Sequence, residues 1–196
     1  MPQVLNIPTM DTMNDDEFFA FCEANRRNGM QFERDEHGHI IFMPPTGSIG
    51  GSRDLDIAFE IKYWAKQNKT GIAFGPATGF TLPDKSIKSP DVAWIRRDRW
   101  EQVPRELRKK FAPICPDFIV EVKSESDYWS EQESKMREYI SNGCQLGWLI
   151  DPNEQTYMIF TPQNTNPEKL PFGIINGGEV LEGLEIDLRN VFEDIG

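Results

Sequence analysis

The order of apolar and polar positions predicts two helices in the first third of the chain. The first covers 14–28, where Asn14 or Thr12 can cap a first turn that is rich in acidic residues. The second covers 50–71 and ends at Gly71, because glycine commonly follows the last helical residue. The residues expected on its apolar face are Leu55, Ala58, Phe59 and Ile61–Tyr63.

Short apolar runs bounded by Gly, Pro and Asp predict strands elsewhere in the chain. The segment 31–45 predicts a hairpin that turns at Gly38, and 72–95 predicts short strands broken at "LPDKS". A basic helical segment follows, and 117–150 then has the order strand, helix, strand. This order predicts a parallel crossover, which is right-handed in nearly all proteins. A further strand, a surface loop and a terminal strand with a short helix complete one domain over 1–196.

The strand predicted over 117–123 carries two charged residues in an otherwise apolar run. Because side chains alternate along a strand, Ile119, Glu121 and Lys123 share one of its faces. Parallel strands are usually covered on both faces, so this strand is expected in the centre of the sheet. Glu121 and Lys123 then lie near its carboxyl end, where open α/β sheets place their sites. A solvent-exposed face with a weak surface ion pair is the alternative interpretation.

Composition excludes several classes of protein and of chemistry. Among the 196 residues, 38% are hydrophobic and 27% charged, and no apolar run approaches the roughly 18 residues of a membrane span. No signal peptide is expected, and three widely spaced cysteines favour a reducing cytoplasm over a disulfide framework. Two histidines without a CxxC pair argue against a zinc site. Since GxSxG and phosphate-loop motifs are also missing, catalysis would depend on carboxylates and lysines.

Charge is distributed unevenly along the chain. The net charge of −11 is unfavourable for a nucleic-acid partner, because phosphate contacts require Lys and Arg. The segment 96–110, however, carries seven basic and three acidic residues around Trp100. A local basic face and a solvated mixed-charge helix are both consistent with this segment, and Arg96 and Arg97 are its candidate substrate contacts.

Asp91 changes the interpretation of the charged strand. It follows Pro90 at the start of a strand that is expected to pair in the same sheet, so Asp91, Glu121 and Lys123 can converge. Two hard oxygen ligands suit Mg²⁺, which keeps several waters and binds phosphate oxygens as further ligands. A lysine beside the metal can orient a water and stabilise charge on a phosphate. The three residues together predict metal-dependent hydrolysis of phosphodiesters.

The motifs resemble those of a known superfamily. "SPD" followed thirty residues later by "EVK" resembles the PD-(D/E)XK nucleases. More closely, "GFTLPDKSIKSPDVAWI", "CPDFIVEVKSESD", "KMREYISNGCQLGWLIDP" and "LEGLEIDL" resemble the Uma-type restriction-endonuclease-like family, over roughly residues 12–190. The resemblance implies an α/β fold with a restriction-endonuclease-like core, in which helices flank a mixed central β-sheet with extra N-terminal strands.

The resemblance also implies roles for individual residues. Asp91, Glu121 and Lys123 would be catalytic, and Asp91, Glu121 and the carbonyl of Val122 would bind Mg²⁺ or Mn²⁺. A helix before the sheet often adds a carboxylate, for which Glu60 is the candidate. Asp54 and Asp56 are alternatives to Glu60 for this ligand. Arg53 and Lys135 are candidate substrate contacts.

Many family members have a histidine near the start of this helix, whereas this chain has "GSIGGSRD". Arg53 is the candidate to take the place of that histidine. Lys135 shares a helix face with Tyr139, and solvent exposure is the alternative to a phosphate contact.

Two functions from different classes follow from these features. The first is a Mg²⁺-dependent endonuclease that acts on nucleic acid, DNA before RNA. Such an enzyme is expected to be cytoplasmic and to have no membrane partner. It is also expected to be a homodimer, because cutting both strands of a duplex needs two active sites or two successive binding events. The second is a catalytically silent protein that keeps the nuclease fold for binding or regulation. The complete triad favours the first function, and the acidity of the chain favours the second.

Overall fold

A computed structural model describes residues 13–26, 30–43 and 45–192 of the chain. Within these ranges the helices are α1 (Asp15–Asn25), α2 (Ser48–Asn68), α3 (Arg97–Gln102), a short 3-10 helix (Leu107–Lys109), α4 (Trp129–Ser141) and α5 (Leu188–Val191). The strands are β1 (Gln31–Arg34), β2 (Ile40–Met43), β3 (Gly71–Phe74), β4 (Phe80–Thr81), β5 (Ile87–Lys88), β6 (Val92–Arg96), β7 (Phe118–Val122), β8 (Leu146–Asp151), β9 (Thr156–Phe160), β10 (Leu170–Pro171), β11 (Ile174–Asn176) and β12 (Glu185–Asp187). Among the described residues, no helix combines the length and the apolar character that a membrane crossing requires.

A reciprocal capping box begins α1. The Asn14 side chain accepts hydrogen bonds from the backbone N–H groups of Asp16 and Glu17, each at 3.0 Å. The Glu17 carboxylate in turn accepts one from the Asn14 backbone N–H at 2.9 Å. These bonds satisfy N–H groups that have no partner within the helix. Asn14 is therefore confirmed as the cap, whereas the alternative cap Thr12 lies outside the described residues.

The N-terminal strands form a small sheet of their own. The predicted hairpin is confirmed, since β1 pairs antiparallel with β2 and Gly38 turns the chain with φ +90°. Glycine is favoured there because it adopts positive φ without a steric cost. β1 also pairs with β5, which pairs with β4, so the strand order is β2-β1-β5-β4. This sheet supplies the extra N-terminal strands that the sequence predicts.

The central sheet is mixed and has the strand order β10-β9-β8-β7-β6-β3. β7 and β8 are parallel neighbours joined through α4, while the other adjacent pairs are antiparallel. The predicted crossover and the central position of β7 are thereby confirmed. β7 lies between β6 and β8, so residues at its carboxyl end are flanked by two strands.

Helices cover both faces of this sheet. On one face α2 and α5 pack with Phe118, Trp94 and Trp148, all of which are almost completely buried. On the other face α4 packs Met136 and other apolar side chains against β7, β8 and β9. Full burial of an aliphatic or Phe side chain contributes about 1.5–3 kcal/mol, so these two layers supply much of the stabilising free energy.

The predicted apolar face of α2 is wrong for three residues. Leu55, Phe59 and Tyr63 are 68%, 61% and 55% exposed, whereas the buried residues are Ile57, Ile61 and Ala65. The two sets are offset by two residues, which corresponds to about 200° around a helix of 3.6 residues per turn. α2 therefore has two opposite apolar stripes, and only the stripe of Ile57 packs on the sheet.

Gly71 does not end α2. The helix ends at Asn68, and Lys69 takes the left-handed conformation with φ +62°. Gly71 instead begins β3, where an added Cβ atom would overlap the Trp94 ring. The glycine is required by close packing against Trp94 rather than by the end of the helix.

Candidate active site

Asp91 and Glu121 lie side by side on adjacent strands. Asp91 directly precedes β6, and the antiparallel register that pairs Val92 with Val120 brings it next to Glu121. The Oδ2 atom of Asp91 accepts a hydrogen bond from the Val122 backbone N–H at 2.7 Å. The structure thus brings together the two carboxylates that the sequence singles out, at the carboxyl end of β7.

The environment of these carboxylates favours their neutral forms. Burial raises the pKa of Glu121 to about 8, and the carboxylates of Asp91 and Glu33 add to the rise while Lys135 opposes it. Burial likewise raises the pKa of Asp91, against the hydrogen bond from Val122 and the charge of Lys135. Desolvation and like-charge repulsion are the ordinary causes of such shifts.

Lys135 of α4 is the cation that contacts this pair. Its Nζ lies 2.9 Å from Glu121 Oε1 and 3.1 Å from Glu33 Oε1, and 19% of its side chain is exposed. Burial disfavours the charged ammonium, but the carboxylates of Glu121, Glu33 and Asp91 raise the pKa of Lys135 above its ordinary value. Lys135 is therefore an integral part of the site and not a solvated surface residue.

Lys123 has different partners. The parallel register that pairs Val122 with Ile150 places Lys123 beside Asp151, and its Nζ lies 3.3 Å from Asp151 Oδ2. The ammonium also donates to the Ser124 carbonyl oxygen at 3.1 Å. In the part of the chain that the structure describes, no ion pair joins Lys123 to Asp91 or Glu121.

The three acidic candidates on α2 differ in burial and in position along the helix. Asp54 is half-buried, and burial together with the Asp91 carboxylate raises its pKa to about 7. Asp56 is exposed, and Glu60 lies six residues beyond Asp54, about 9 Å along the helix axis. The contribution of the Asp91 carboxylate to this pKa makes Asp54 the preferred candidate among the α2 carboxylates.

Arg53 also lies at this end of the molecule. Its Nη1 donates to Asn153 Oδ1 at 2.9 Å, and Asn153 follows the carboxyl end of β8. Arg53 thus contacts the turn that follows β8.

Arg96 and Arg97 are not brought to the carboxylates. Arg96 is the last residue of β6 and Arg97 follows it, and at about 3.3 Å per residue this end of the strand lies roughly 17 Å from Asp91. Arg96 pairs with Asp98 at 2.6 Å, and Arg97 Nε donates to the Lys69 carbonyl oxygen at 3.0 Å. Four further basic residues of this segment contact acidic groups, carbonyl oxygens or an aromatic ring: Arg99, Arg108, Lys109 and Lys110.

Comparisons with known proteins identify the family and the fold. The model of the Uma2 family, described as "Putative restriction endonuclease", matches residues 15–189. The chain belongs to the Uma2 family. No curated protein matches it significantly. The fold is similar to the crystal structure of "a putative nuclease belonging to DUF820" from Anabaena variabilis ATCC 29413, with 23% identity, a TM-score of 0.68, and coverage of 82% of this chain and 89% of that one.

Restriction-endonuclease-like families such as Uma2 generally depend on divalent metals, and the residues here fit such an ion in part. Asp91 and Glu121 offer hard oxygen ligands, and three carboxylates share the single charge of Lys135. When these acids are ionised, their negative charge exceeds the charge of Lys135, and a further cation would offset the excess. Within the described ranges no three His, Cys, Asp or Glu side chains are grouped as ligands. Water and phosphate oxygens would have to complete the coordination, as Mg²⁺ permits.

Two residues of the site were missed by the sequence analysis. Glu33 is buried in β1. In the sequence, Glu33 and Arg34 look like ordinary charged residues at the end of a short hairpin strand. Asp151 ends β8, the parallel neighbour of β7. Its position at the carboxyl end of a buried parallel strand was a usable signal, because sites of α/β sheets form there. For Glu33 the sequence offered no comparable signal.

Proposed function

We propose that this Uma2-family chain is a divalent-metal-dependent endonuclease that hydrolyses phosphodiester bonds of nucleic acid, with DNA as the first candidate substrate. The observation that supports it is the Asp91–Glu121 pair at the carboxyl end of β7, in a family of restriction-endonuclease-like proteins. Hard carboxylate oxygens are the ligands that Mg²⁺ and Mn²⁺ prefer.

Asp91, Glu121 and the Val122 carbonyl would hold the metal. When bound, the cation supplies Lewis-acid stabilisation of the phosphate and a water of lowered pKa. Glu121 must release its proton to act as a ligand, because its pKa of about 8 keeps it neutral at pH 7. Asp54, with a pKa of about 7, is suited to accept a proton from the attacking water near neutral pH.

Positively charged side chains would stabilise the phosphate. The motif assigns this role to Lys123, and the geometry adds Lys135, which already contacts Glu121. Arg53, in the second turn of α2, would contact a flanking phosphate, and its hydrogen bond to Asn153 beside the end of β8 supports this role. Such contacts act through electrostatic stabilisation of the charge that develops at the reacting phosphate.

We also propose that this nuclease-like domain spans 1–196 and acts as a cytoplasmic homodimer. The three cysteines Cys22, Cys115 and Cys144 are all free, as a reducing compartment requires. A pair of identical active sites would allow both strands of a duplex to be cut in one encounter.

The decisive experiment is cleavage of nucleic acids by the purified protein. Supercoiled plasmid, linear duplex, single-stranded DNA and RNA are incubated with Mg²⁺, Mn²⁺ or EDTA. We expect cleavage that requires the metal and is lost in Asp91→Asn and Glu121→Gln, while exposed Glu131→Gln serves as a matched control. Cleavage that persists in EDTA, or in both site variants, would refute the proposed function.

The second candidate function is nucleic-acid binding without cleavage. One observation favours it, namely that the motif lysine Lys123 pairs with Asp151 instead of the carboxylate pair. Affinity for nucleic acid without cleavage under any metal condition would support this function over the first.

A further inference from the structure

The segment between β7 and α4 lies beside the candidate site and is fixed by its own hydrogen bonds. The Asp127 carboxylate accepts a hydrogen bond from the Ser124 backbone N–H at 2.9 Å, and the Asp127 N–H donates to the Ser124 carbonyl oxygen at 3.3 Å. The Asp127 carboxylate is also one of the charges that raise the pKa of Asp91. The turn 124–127 is therefore held within electrostatic reach of the carboxylate pair.

Tyr128 follows this turn and is the most exposed large hydrophobic residue among the described residues, at 70%. Its backbone is fixed, because its carbonyl oxygen accepts hydrogen bonds from the N–H groups of Glu131 and Gln132 at 3.1 Å and 3.2 Å. None of the ring–ring or cation–ring contacts in the described part of the chain involves Tyr128. A single exposed ring is ordinary on a protein surface, and Tyr128 is distinguished by its anchored backbone beside the site.

The next residue, Trp129, is packed against the protein. Its ring contacts the buried cluster on the α4 side of the sheet, and Lys169 Nζ and Lys123 Nζ lie 3.7 Å and 5.8 Å from its centre. Lys169 also pairs at 3.1 Å with Glu154, in the turn that follows β8. Of the two adjacent rings, Trp129 is thus occupied by protein contacts, while Tyr128 presents its faces to solvent.

The cations around the site offer little to a nucleic-acid backbone. Lys123, Lys135 and Lys169 each have Nζ within 3.3 Å of a carboxylate oxygen. Arg53 donates to a neutral amide, but the chain as a whole has a net charge of −11. Affinity for nucleic acid usually depends on phosphate contacts by Lys and Arg. Because such contacts are limited here, the stacking of bases on aromatic rings has to supply a larger share of the affinity.

Stacking on an exposed tyrosine requires a base with an accessible face. In a continuous duplex each base is covered by its neighbours, so a base must first be unpaired and unstacked. An unpaired nucleotide offers its face without that cost, which is why aromatic rings are used to bind single strands. Every base has such a face, so this contact selects unpaired strands without selecting a sequence.

We propose that Tyr128 stacks on an unpaired base next to the scissile phosphate, and that the chain acts on single-stranded or locally unpaired nucleic acid in preference to continuous duplex. This inference rests on the proposed function and specifies its substrate class. Tyr128 is a substrate-binding residue that holds the strand beside Asp91 and Glu121 and takes no part in the chemistry there.

The first test measures binding by fluorescence anisotropy, with Ca²⁺ in place of Mg²⁺. The probes are an oligothymidylate of about 20 nucleotides and its duplex with oligodeoxyadenylate. Tyr128→Ala and Tyr128→Leu should weaken oligothymidylate binding about tenfold because the flat ring is lost, whereas Tyr128→Phe should bind within about twofold of wild type. Duplex binding should be unchanged in all three variants. The matched control is Tyr63→Ala, at an exposed tyrosine on α2 that should not affect either probe.

Wild-type affinity of Tyr128→Ala for the oligothymidylate would overturn the inference, and so would an equal loss of affinity in Tyr63→Ala. Salt dependence separates stacking from a phosphate contact. A stacked ring releases no counterions, so Tyr128→Ala should keep the wild-type slope of log K against log salt while its affinity falls at every salt concentration. A slope reduced by about 1 would contradict the stacking role. Melting curves should match wild type, because the side chain is exposed.

The second test measures single-turnover cleavage with Mg²⁺ on a single strand, a duplex with an unpaired bubble and a continuous duplex. Wild type should cleave the first two at least about tenfold faster than the third, and Tyr128→Ala should lose most of this preference. Equal wild-type rates on all three, or an equal loss on all three in Tyr128→Ala, would overturn the inference and leave the proposed function intact. A wild-type protein that neither binds nor cleaves any of them would overturn both.

Discussion

The two ends of β7 each carry a buried carboxylate, and the two have very different partners. Asp117, which precedes the strand, lies 2.8 Å from Arg99 Nη1 through one oxygen. Its other oxygen accepts a hydrogen bond from the Arg96 backbone N–H at 2.9 Å. Asp117 is thus matched by one cation and one N–H donor, and its burial is compensated locally.

Glu121, near the other end, is compensated only in part. It shares Lys135 with Glu33 and has the Asp91 carboxylate as a neighbour, which is why its pKa rises to about 8. A buried acid with its own partners stabilises the fold, whereas a group of acids that outnumbers its cations is suited to bind another cation. The motif singles out Glu121, but the difference between the partners of the two acids is visible only in the tertiary structure.

The largest expected effect is on cleavage activity, which should depend on Glu121 but not on Asp117. Glu121→Gln should lower cleavage by about 10³-fold or more, because a ligand of the metal is lost at nearly constant shape. Its thermal stability should stay the same or increase, since a carboxylate with unfavourable burial is removed. Single-turnover cleavage and melting curves provide both measurements.

The matched variant at the other end is Asp117→Asn, which should retain cleavage but lose stability. Removal of one partner from a buried ion pair costs about 3 kcal/mol, which denaturant titration can resolve. If Asp117→Asn lost cleavage while Glu121→Gln kept it, the contrast between the two ends would be reversed.

The next expected effect is a pH dependence of stability. Because the pKa of Glu121 rises from 4.5 to about 8, the folded protein binds more protons than the unfolded chain between these values. The stabilisation is complete below pH 4.5 and is lost as pH rises through 8, with a slope of at most about 1.4 kcal/mol per pH unit. Denaturant unfolding from pH 5 to 8 measures it. Glu121→Gln should flatten the curve, and an unchanged slope in that variant would assign the effect to other groups.

A smaller effect is expected from metal binding. A cation at about ten times its Kd adds roughly 1.4 kcal/mol of stability if it binds only the folded state. This should appear as a rise in Tm of about 3–6 °C on addition of Mg²⁺. Asp91→Asn should largely lose the shift and Asp117→Asn should keep it. An equal shift in wild type and Asp91→Asn would place the metal elsewhere.

The smallest effect concerns the basic segment 96–110, which contacts Asp117 through Arg96 and Arg99. Arg97 donates to a neutral carbonyl, so its charge is available to a phosphate, whereas Arg96 is neutralised by Asp98. Arg97→Glu should reduce nucleic-acid affinity modestly and lower the salt slope by about 1. Arg96→Glu is the control with a smaller expected effect. Binding isotherms at several salt concentrations compare them, and identical slopes in all three proteins would exclude a phosphate contact by Arg97.

Local sequence was sufficient to predict the features that depend on neighbouring residues. The Asn14 cap, the hairpin at Gly38 and the strand–helix–strand order around β7 follow from capping chemistry, turn chemistry and periodicity. The pairing of Asp91 with Glu121 was predictable as well, because both positions are defined by strand boundaries in adjacent strands. Each of these features follows from residues close together in the sequence or from the alternation and boundaries of single strands.

Tertiary structure alone decided which residues meet across long separations. α2 has two apolar stripes 200° apart, and its own sequence does not indicate which one faces the sheet. Lys123 was assigned by its proximity in the motif, yet the parallel register places it against Asp151, and helix packing brings Lys135 to Glu121. Glu33 reaches the backbone of Ser89, 56 residues away, through the pairing of a separate small sheet. The charges of a buried site are balanced by neighbours in space, and those neighbours follow from register and packing, which no local pattern specifies.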